Sequence, residues 1–174
     1  MASAEKVTIS VDAMGADGGL EATLGGCIQA LKEGVAANLL LHGQEAEIKP
    51  VLQRLGGAEF AERLEIRHAD RVVTMEDKPT QVMRRGKDTS MWGAIASVKN
   101  GDAQAAISCG NTGALMAVSM LQLRMIEGVS RPAITAGWPT MTGRSVVLDV
   151  GANVEATAEQ LVQFAIMGEA YYRA

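Results

Sequence analysis

Apolar positions along the chain fall into short β-rich runs that alternate with longer stretches at helical spacing. Val7 to Val11 is a β-rich run that ends in Asp12 and passes into the turn-rich Met14-Gly15-Ala16-Asp17-Gly18-Gly19. A helix is predicted from Leu20 to Glu33, with Gly34 as its stop. Asn38 to Leu41 reads as a short strand closed by His42-Gly43, Glu45 to Leu55 as a helix ended by Gly56-Gly57, and Leu64 to Arg67 as another short strand. Asp88-Thr89-Ser90 offers caps for a helix reaching Lys99, with Asn100-Gly101 as its stop. Ala103 to Ile107 reads as a strand, followed by an apolar helical pattern from Ala114 to Ile126. A strand is expected near Ile134 and another at Ser145 to Leu148. The closing segment, Ala158 to Tyr172, carries Leu161, Phe164, Ala165, Gly168 and Tyr172 at helical spacing. Strands alternating with helices predict an α/β fold with a largely parallel sheet covered on both faces.

The length of 174 residues suits one globular domain spanning 1–174. Hydrophobic residues at 48% and charged residues at 21% exclude a wholly disordered chain. The net charge of −4 gives no general reason to expect nucleic acid. Cys27 and Cys109 are far apart with no C-x-x-C, which fits a reduced, cytoplasmic setting better than a disulfide scaffold. The first residues lack the apolar run of a signal peptide, and no apolar stretch approaches the roughly 20 residues of a membrane helix. His42 and His68 share no metal-ligand spacing with each other or with the cysteines, so no metal site is expected.

Open α/β sheets bind ligands beyond the carboxyl ends of their strands. Three predicted strand ends carry polar residues and glycines: Asp12 to Gly19, Ser108-Cys109-Gly110-Asn111-Thr112-Gly113-Ala114, and Asp149-Val150-Gly151-Ala152-Asn153. Each alone is an ordinary turn. Together they favour convergence on one crevice. The Ser108 to Ala114 segment leads from strand into helix, where unpaired N–H groups and the helix dipole attract an anion, so phosphate is the first ligand to consider. Between Met75 and Ser90, Lys78, Arg84, Arg85 and Lys87 crowd into an otherwise acidic chain. They read as a phosphate-binding or acidic-partner surface, or as a solvated helix face. Cys109 is expected to be a small packed residue rather than a nucleophile, and Trp92 and Trp138 to be packing residues. Leu115, Met116, Met120, Leu123 and Met125 read as core or subunit interface, with a groove for an apolar ligand as the alternative.

Four motifs occur in order: Asp12-Ala13-Met14-Gly15-x-Asp17; Asp77-Lys78-Pro79 with Arg84-Arg85-x-Lys87-Asp88-x-Ser90-Met91; Ser108-x-Gly110-Asn111-Thr112-Gly113-Ala114-Leu115-Met116; and Leu148-Asp149-x-Gly151-Ala152-Asn153. From Val7 to Arg173 the chain resembles the amino-terminal half of the PlsX-type phosphate acyltransferases of bacterial phospholipid synthesis. The resemblance implies a homodimeric three-layer α/β/α fold related to phosphotransacetylases and the isocitrate dehydrogenase group. It implies transfer of a long-chain acyl group from acyl carrier protein to inorganic phosphate, giving acyl phosphate without a cofactor. On that reading Lys78, Lys87 and Asn111 are catalytic candidates. Asp12, Gly15, Asp17, Ser90, Ser108, Gly110, Thr112, Gly113, Asp149 and Asn153 bind phosphate or substrate, and Arg84 and Arg85 dock the carrier protein. Ala16 stands where the family has glycine, and its methyl group would be strained if the turn required positive φ. The chain is expected to be a fragment, a truncated reading frame or a partial gene product, because the resemblance covers about half of such an enzyme and the sequence stops inside a helical pattern. Further parts of the site, the dimer interface, contact with the inner face of the membrane and a downstream membrane-bound glycerol-3-phosphate acyltransferase then belong to the longer protein. Two other readings stand beside this one: a short-chain phosphotransacetylase using acetyl-coenzyme A, and a non-catalytic fragment retaining only phosphate binding or dimerisation.

Overall fold

A computed structural model describes residues 6–151, 153 and 155–174. They form two compact units, one up to Leu123 and the other from Arg124. The first holds β1 (Val7–Asp12), α1 (Gly19–Lys32), β2 (Ala37–Gly43), α2 (Glu45–Arg54), a 3-10 segment (Gly57–Arg63) and β3 (Leu64–His68). It continues with α3 (Pro79–Arg85), α4 (Ser90–Asn100), β4 (Ala105–Ser108) and α5 (Thr112–Leu123). Its four strands are all parallel, in the order β3-β2-β1-β4. The chain therefore steps outward from β1 through β2 to β3, then returns past β1 to lay down β4. The order reverses between β1 and β4, and their carboxyl ends sit side by side, with Asp12 paired to both His42 and Ser108. Such a reversal is where open α/β sheets form a binding crevice.

The two faces of this sheet differ in chemistry. Alternate residues Ile9, Val11, Leu39 and Leu41 pack against Leu24, Ile28 and Leu31 of α1 and Ile48 and Leu52 of α2, forming an aliphatic core. The opposite face presents Ser10, Asp12 and His42, all buried, and is covered by α4. Beyond it, Val73, Val82, Met91, Ile95, Ala114 and Val118 form a second apolar cluster that joins α3, α4 and α5. His42 Nε2 lies 3.1 Å from the Ser97 hydroxyl of α4. Position 93 must be glycine there, because a Cβ would fall 2.6 Å from His42 Nδ1. Burial, helped by the nearby Arg67 cation, lowers the His42 pKa to about 4, so the imidazole is neutral at pH 7.

The second unit contains β5 (Thr135–Thr140), β6 (Gly143–Leu148) and α6 (Ala158–Arg173). Thr157 opens α6 with a capping box to Gln160, and Phe164 is buried. Here the structure corrects the expectation of one sheet. β6 pairs with β5 in antiparallel register, and neither joins the four-stranded sheet. Only Met141 and Thr142 separate the two strands, and a two-residue loop can connect antiparallel neighbours alone. Trp138 is 60% exposed on this hairpin, so it is not the packing residue expected, whereas Trp92 packs against the second apolar cluster of the first unit. α5 ends at Leu123 rather than Ile126, where Arg124 adopts a left-handed φ of 67°. No helix among the described residues is long and apolar enough to cross a membrane.

Candidate anion-binding crevice

Two parallel strand ends build the crevice, and their backbones touch. A Cβ on Gly110 would lie 2.8 Å from the Gly15 carbonyl oxygen, and one on Gly15 would lie 3.3 Å from both Asp12 Oδ2 and the Val73 carbonyl oxygen. Only glycine permits this approach. Asp12 is fully buried, and the Ser108 hydroxyl donates to its Oδ2 at 2.8 Å. Ser108 Oγ in turn accepts from the Gly110 N–H at 3.2 Å, while Asp12 Oδ1 accepts from the Met14 N–H at 3.4 Å. The polar atoms of Asp12 and Ser108 thus lock β1 to β4 and hold the following loops in place.

Asn111 does the same for a third segment. Its Oδ1 accepts from the Ala114 N–H at 3.0 Å, capping α5. Its Nδ2 donates to the carbonyls of Thr74 and Asp77 at 3.0 Å and of Met75 at 3.3 Å. The Asp77 carboxylate folds back onto the Thr74 N–H and hydroxyl, closing the loop on itself. Pro79 then rests on Gly113, where a Cβ would stand 3.1 Å from Pro79 Cγ. Lys78, exposed, immediately precedes this contact and therefore sits at the mouth of α5. With the Ala114 N–H taken by Asn111, the N–H groups of Thr112 and Gly113 have no partner among the described residues, and both residues are exposed. Two N–H groups without a protein partner at the positive end of a twelve-residue helix have the chemistry to attract an anion.

The structure brings together Asp12, Gly15, Ser108, Gly110, Asn111, Thr112, Gly113 and Lys78. Within the first unit it does not bring every expected residue there. Asp17 is exposed in the β1–α1 turn. Ser90 is completely buried with its hydroxyl unpartnered, because Thr89 takes the cap of α4 and turns Ser90 inward. Lys87 lines a small cavity of about 190 Å³ with His68, Asp70, Thr89 and Gly93. Arg84 and Arg85 line another, of about 350 Å³, together with Val73 and Asp77. Asp149 and Asn153 belong to the second unit. Asp149, at a φ of 58°, accepts from both the backbone and side-chain amides of Asn153, whose Oδ1 accepts from Arg131. Ala152 lies outside the described residues. Cys109 is exposed, contrary to its expected packing, whereas Cys27 is partly buried and its thiol pKa is pushed up to about 11, chiefly by desolvation. Ala16 has no positive φ, so its methyl group strains nothing. Arg71, which sequence reasoning missed, joins Arg84 and Arg85 around their cavity.

Comparison with known proteins supplies the family. A family model described as "Fatty acid synthesis protein" matches residues 7–174. The chain is 51% identical over 170 residues to the phosphate acyltransferase of Phenylobacterium zucineum, covering 98% of this chain and 48% of that protein. It is 55% identical over 169 residues to the phosphate acyltransferase of Maricaulis maris, covering 96% and 48% respectively. With the phosphate acyltransferase of Caulobacter vibrioides it shares 51% identity over 170 residues, covering 98% and 47%. The chain thus spans about half the length of the curated relatives it matches. By the family model that matches residues 7–174 and relatives about half identical to it, the chain belongs to the phosphate acyltransferase family of fatty acid synthesis proteins.

Proposed function

We propose that this chain carries the phosphate-binding part of an acyl-acyl carrier protein:phosphate acyltransferase, which moves a long-chain acyl group from acyl carrier protein to inorganic phosphate. The observation that carries this reading is the pair of unpartnered N–H groups of Thr112 and Gly113 beside Lys78, at the sheet's reversal point. Phosphate seated there is held by backbone dipoles and one cation, and it is itself the nucleophile. A phosphate oxygen forms a bond to the thioester carbonyl carbon. The carbon–sulfur bond breaks, and the phosphate proton passes to the departing thiolate, leaving acyl phosphate and a free thiol. No enzyme nucleophile is needed, and the site's task is orientation and stabilisation of the developing oxyanion. Asp12, Ser108 and Asn111 act as positioning residues in this scheme, since their polar atoms are spent on the protein. Met120, Leu121 and Leu123 leave an apolar strip exposed on α5, suited to an acyl chain. Both units contribute to a single longer acyltransferase fold that works as a cytoplasmic homodimer.

The test is formation of acyl phosphate, trapped with hydroxylamine, from palmitoyl carrier protein and phosphate, with acetyl-coenzyme A as the parallel substrate. Phosphate-dependent release from the carrier protein, lowered by Lys78→Ala, is expected. Release from acetyl-coenzyme A alone, or no phosphate-dependent thioester cleavage with either, overturns the reading.

A further inference from the structure

The cavity lined in part by Val73 and Asp77 also carries three guanidinium-bearing residues, Arg71, Arg84 and Arg85. Among the described residues none of the three is ion-paired, although Arg54, Arg67 and Arg173 all are. The one carboxylate at the cavity wall, Asp77, is engaged by the N–H and hydroxyl of Thr74. The cavity is also built. Arg71 is fixed by a bridge to Thr89, and its Nη1 donates to the Arg85 carbonyl at 3.0 Å, closing the end of α3 and leaving further N–H groups of its fork unspent. Gly86 makes the tight exit from α3 that gives the cavity its floor, since a Cβ there would lie only 2.5 Å from the Val82 carbonyl oxygen. Val73 and Asp77 line this cavity, while the Val73 carbonyl faces the position a Cβ on Gly15 would take and the Asp77 carbonyl accepts from Asn111 in the crevice. One short segment is therefore the common wall of both.

We infer that this arginine-lined cavity is a second anion site, which receives the phosphate of a phosphopantetheine arm whose thioester end reaches the crevice across the 73–77 wall. Guanidinium forks favour an anion with several acceptor oxygens, and a concave volume of about 350 Å³ admits an inserted phosphate ester rather than the convex face of a helix. The phosphate is shared by two sources, a carrier-protein arm and coenzyme A. The inference rests on the proposed function for the thioester, but its recognition element is separate from the crevice.

Calorimetric titration of this chain with 4′-phosphopantetheine and with pantetheine tests it, comparing the native chain with an Arg84→Gln/Arg85→Gln variant. Both positions are exposed at a helix end, and unchanged circular dichroism would establish that the variant folds. The phosphorylated arm is expected to bind about tenfold more tightly than pantetheine, and the variant to lose that difference. Equal binding of the two probes, or a preference that survives in the variant, overturns the inference. Titration with phosphopantetheinylated carrier protein and with coenzyme A assigns the source: weakening by the variant for either one supports the site, and weakening for neither overturns it. Arginine-dependent phosphate discrimination without acyl phosphate formation would defeat the proposed reaction alone. Acyl phosphate formed equally well from acyl-pantetheine and acyl-phosphopantetheine would defeat this site alone.

Discussion

The Ser108 hydroxyl donates to the buried Oδ2 of Asp12 over 2.8 Å, joining the ends of two strands that lie 96 residues apart in sequence. It is the only side-chain hydrogen bond to that oxygen among the described residues, and the acceptor is almost wholly shielded from water. Ser108→Ala would leave a buried carboxylate oxygen unpaired and the Gly110 N–H without its acceptor. A loss of roughly 1.5–3 kcal/mol is expected, the range for hydrogen bonds to charged groups. Urea unfolding followed by circular dichroism measures it, and a loss below about 0.5 kcal/mol would show that the bond does not hold the strand ends together.

Gly110 and Gly25 should respond to alanine with opposite signs. At Gly110 the new methyl group meets backbone atoms of Gly15 at 2.8–3.2 Å, which cannot swing aside as a side chain does. The strand ends must separate, at a cost of about 1–3 kcal/mol. Gly25 lies inside α1 with nothing within 4 Å of its Cβ position, so alanine there should stabilise by roughly 0.5–1 kcal/mol through helix propensity alone. Thermal midpoints moving in the same direction for both variants would contradict the close approach.

Much of the sheet was legible because β1 and β2 are central strands, whose apolar runs end at turn residues, and because Gly34 and Gly101 mark helix stops. The crevice was legible at the strand ends for the same reason, since glycines cluster where two backbones meet. Other features depend on contacts that sequence spacing does not carry. α3 is seven residues long with Val82 as its one buried residue, and it exists through packing on α5 rather than through its own pattern. Asp88-Thr89-Ser90 offered three possible caps, and only the fold shows that Thr89 accepts from the Trp92 N–H while Ser90 turns inward. Pro139 disguised β5, because proline inside a run argues against a strand, and Met141-Thr142 is not one of the glycine- or asparagine-bearing pairs that mark a two-residue hairpin loop. Arg71 stands outside the basic cluster in sequence and joins it through the bridge to Thr89 and its hydrogen bond to the Arg85 carbonyl.

Asn111 separates capping from clamping. Asn111→Asp retains an oxygen able to accept from the Ala114 N–H, but it places a carboxylate against the carbonyls of Thr74, Met75 and Asp77. Asn111→Ala removes both functions. If the amide donor is what holds the 73–77 segment, aspartate should destabilise at least as much as alanine, by about 2–4 kcal/mol, despite keeping the cap. Rapid hydrogen exchange at the start of α3 should accompany the loss. An aspartate variant near native stability would assign Asn111 to capping alone.

His42 gives the fold an acid limit whose direction follows from its burial. Its folded pKa of about 4 lies below the ordinary 6.5, so the unfolded chain binds the proton more tightly than the folded one. Stability from this group is complete above pH 6.5 and falls as the pH drops towards 4, by up to roughly 3 kcal/mol at about 1.4 kcal/mol per unit. The groups acting on it are the Arg67 cation, which opposes protonation, and the Glu65 and Asp102 carboxylates, which favour it less strongly. Arg67 pairs with both carboxylates, at 2.9 and 2.6 Å, which leaves desolvation as the dominant cause. His42→Gln keeps a polar partner for the Ser97 hydroxyl but cannot titrate. Its urea midpoint should therefore fall less steeply than the native one between pH 6.5 and 4, and the two curves should run parallel above pH 7. Equal slopes across the acid range would mean that the imidazole protonates without leaving its place under α4.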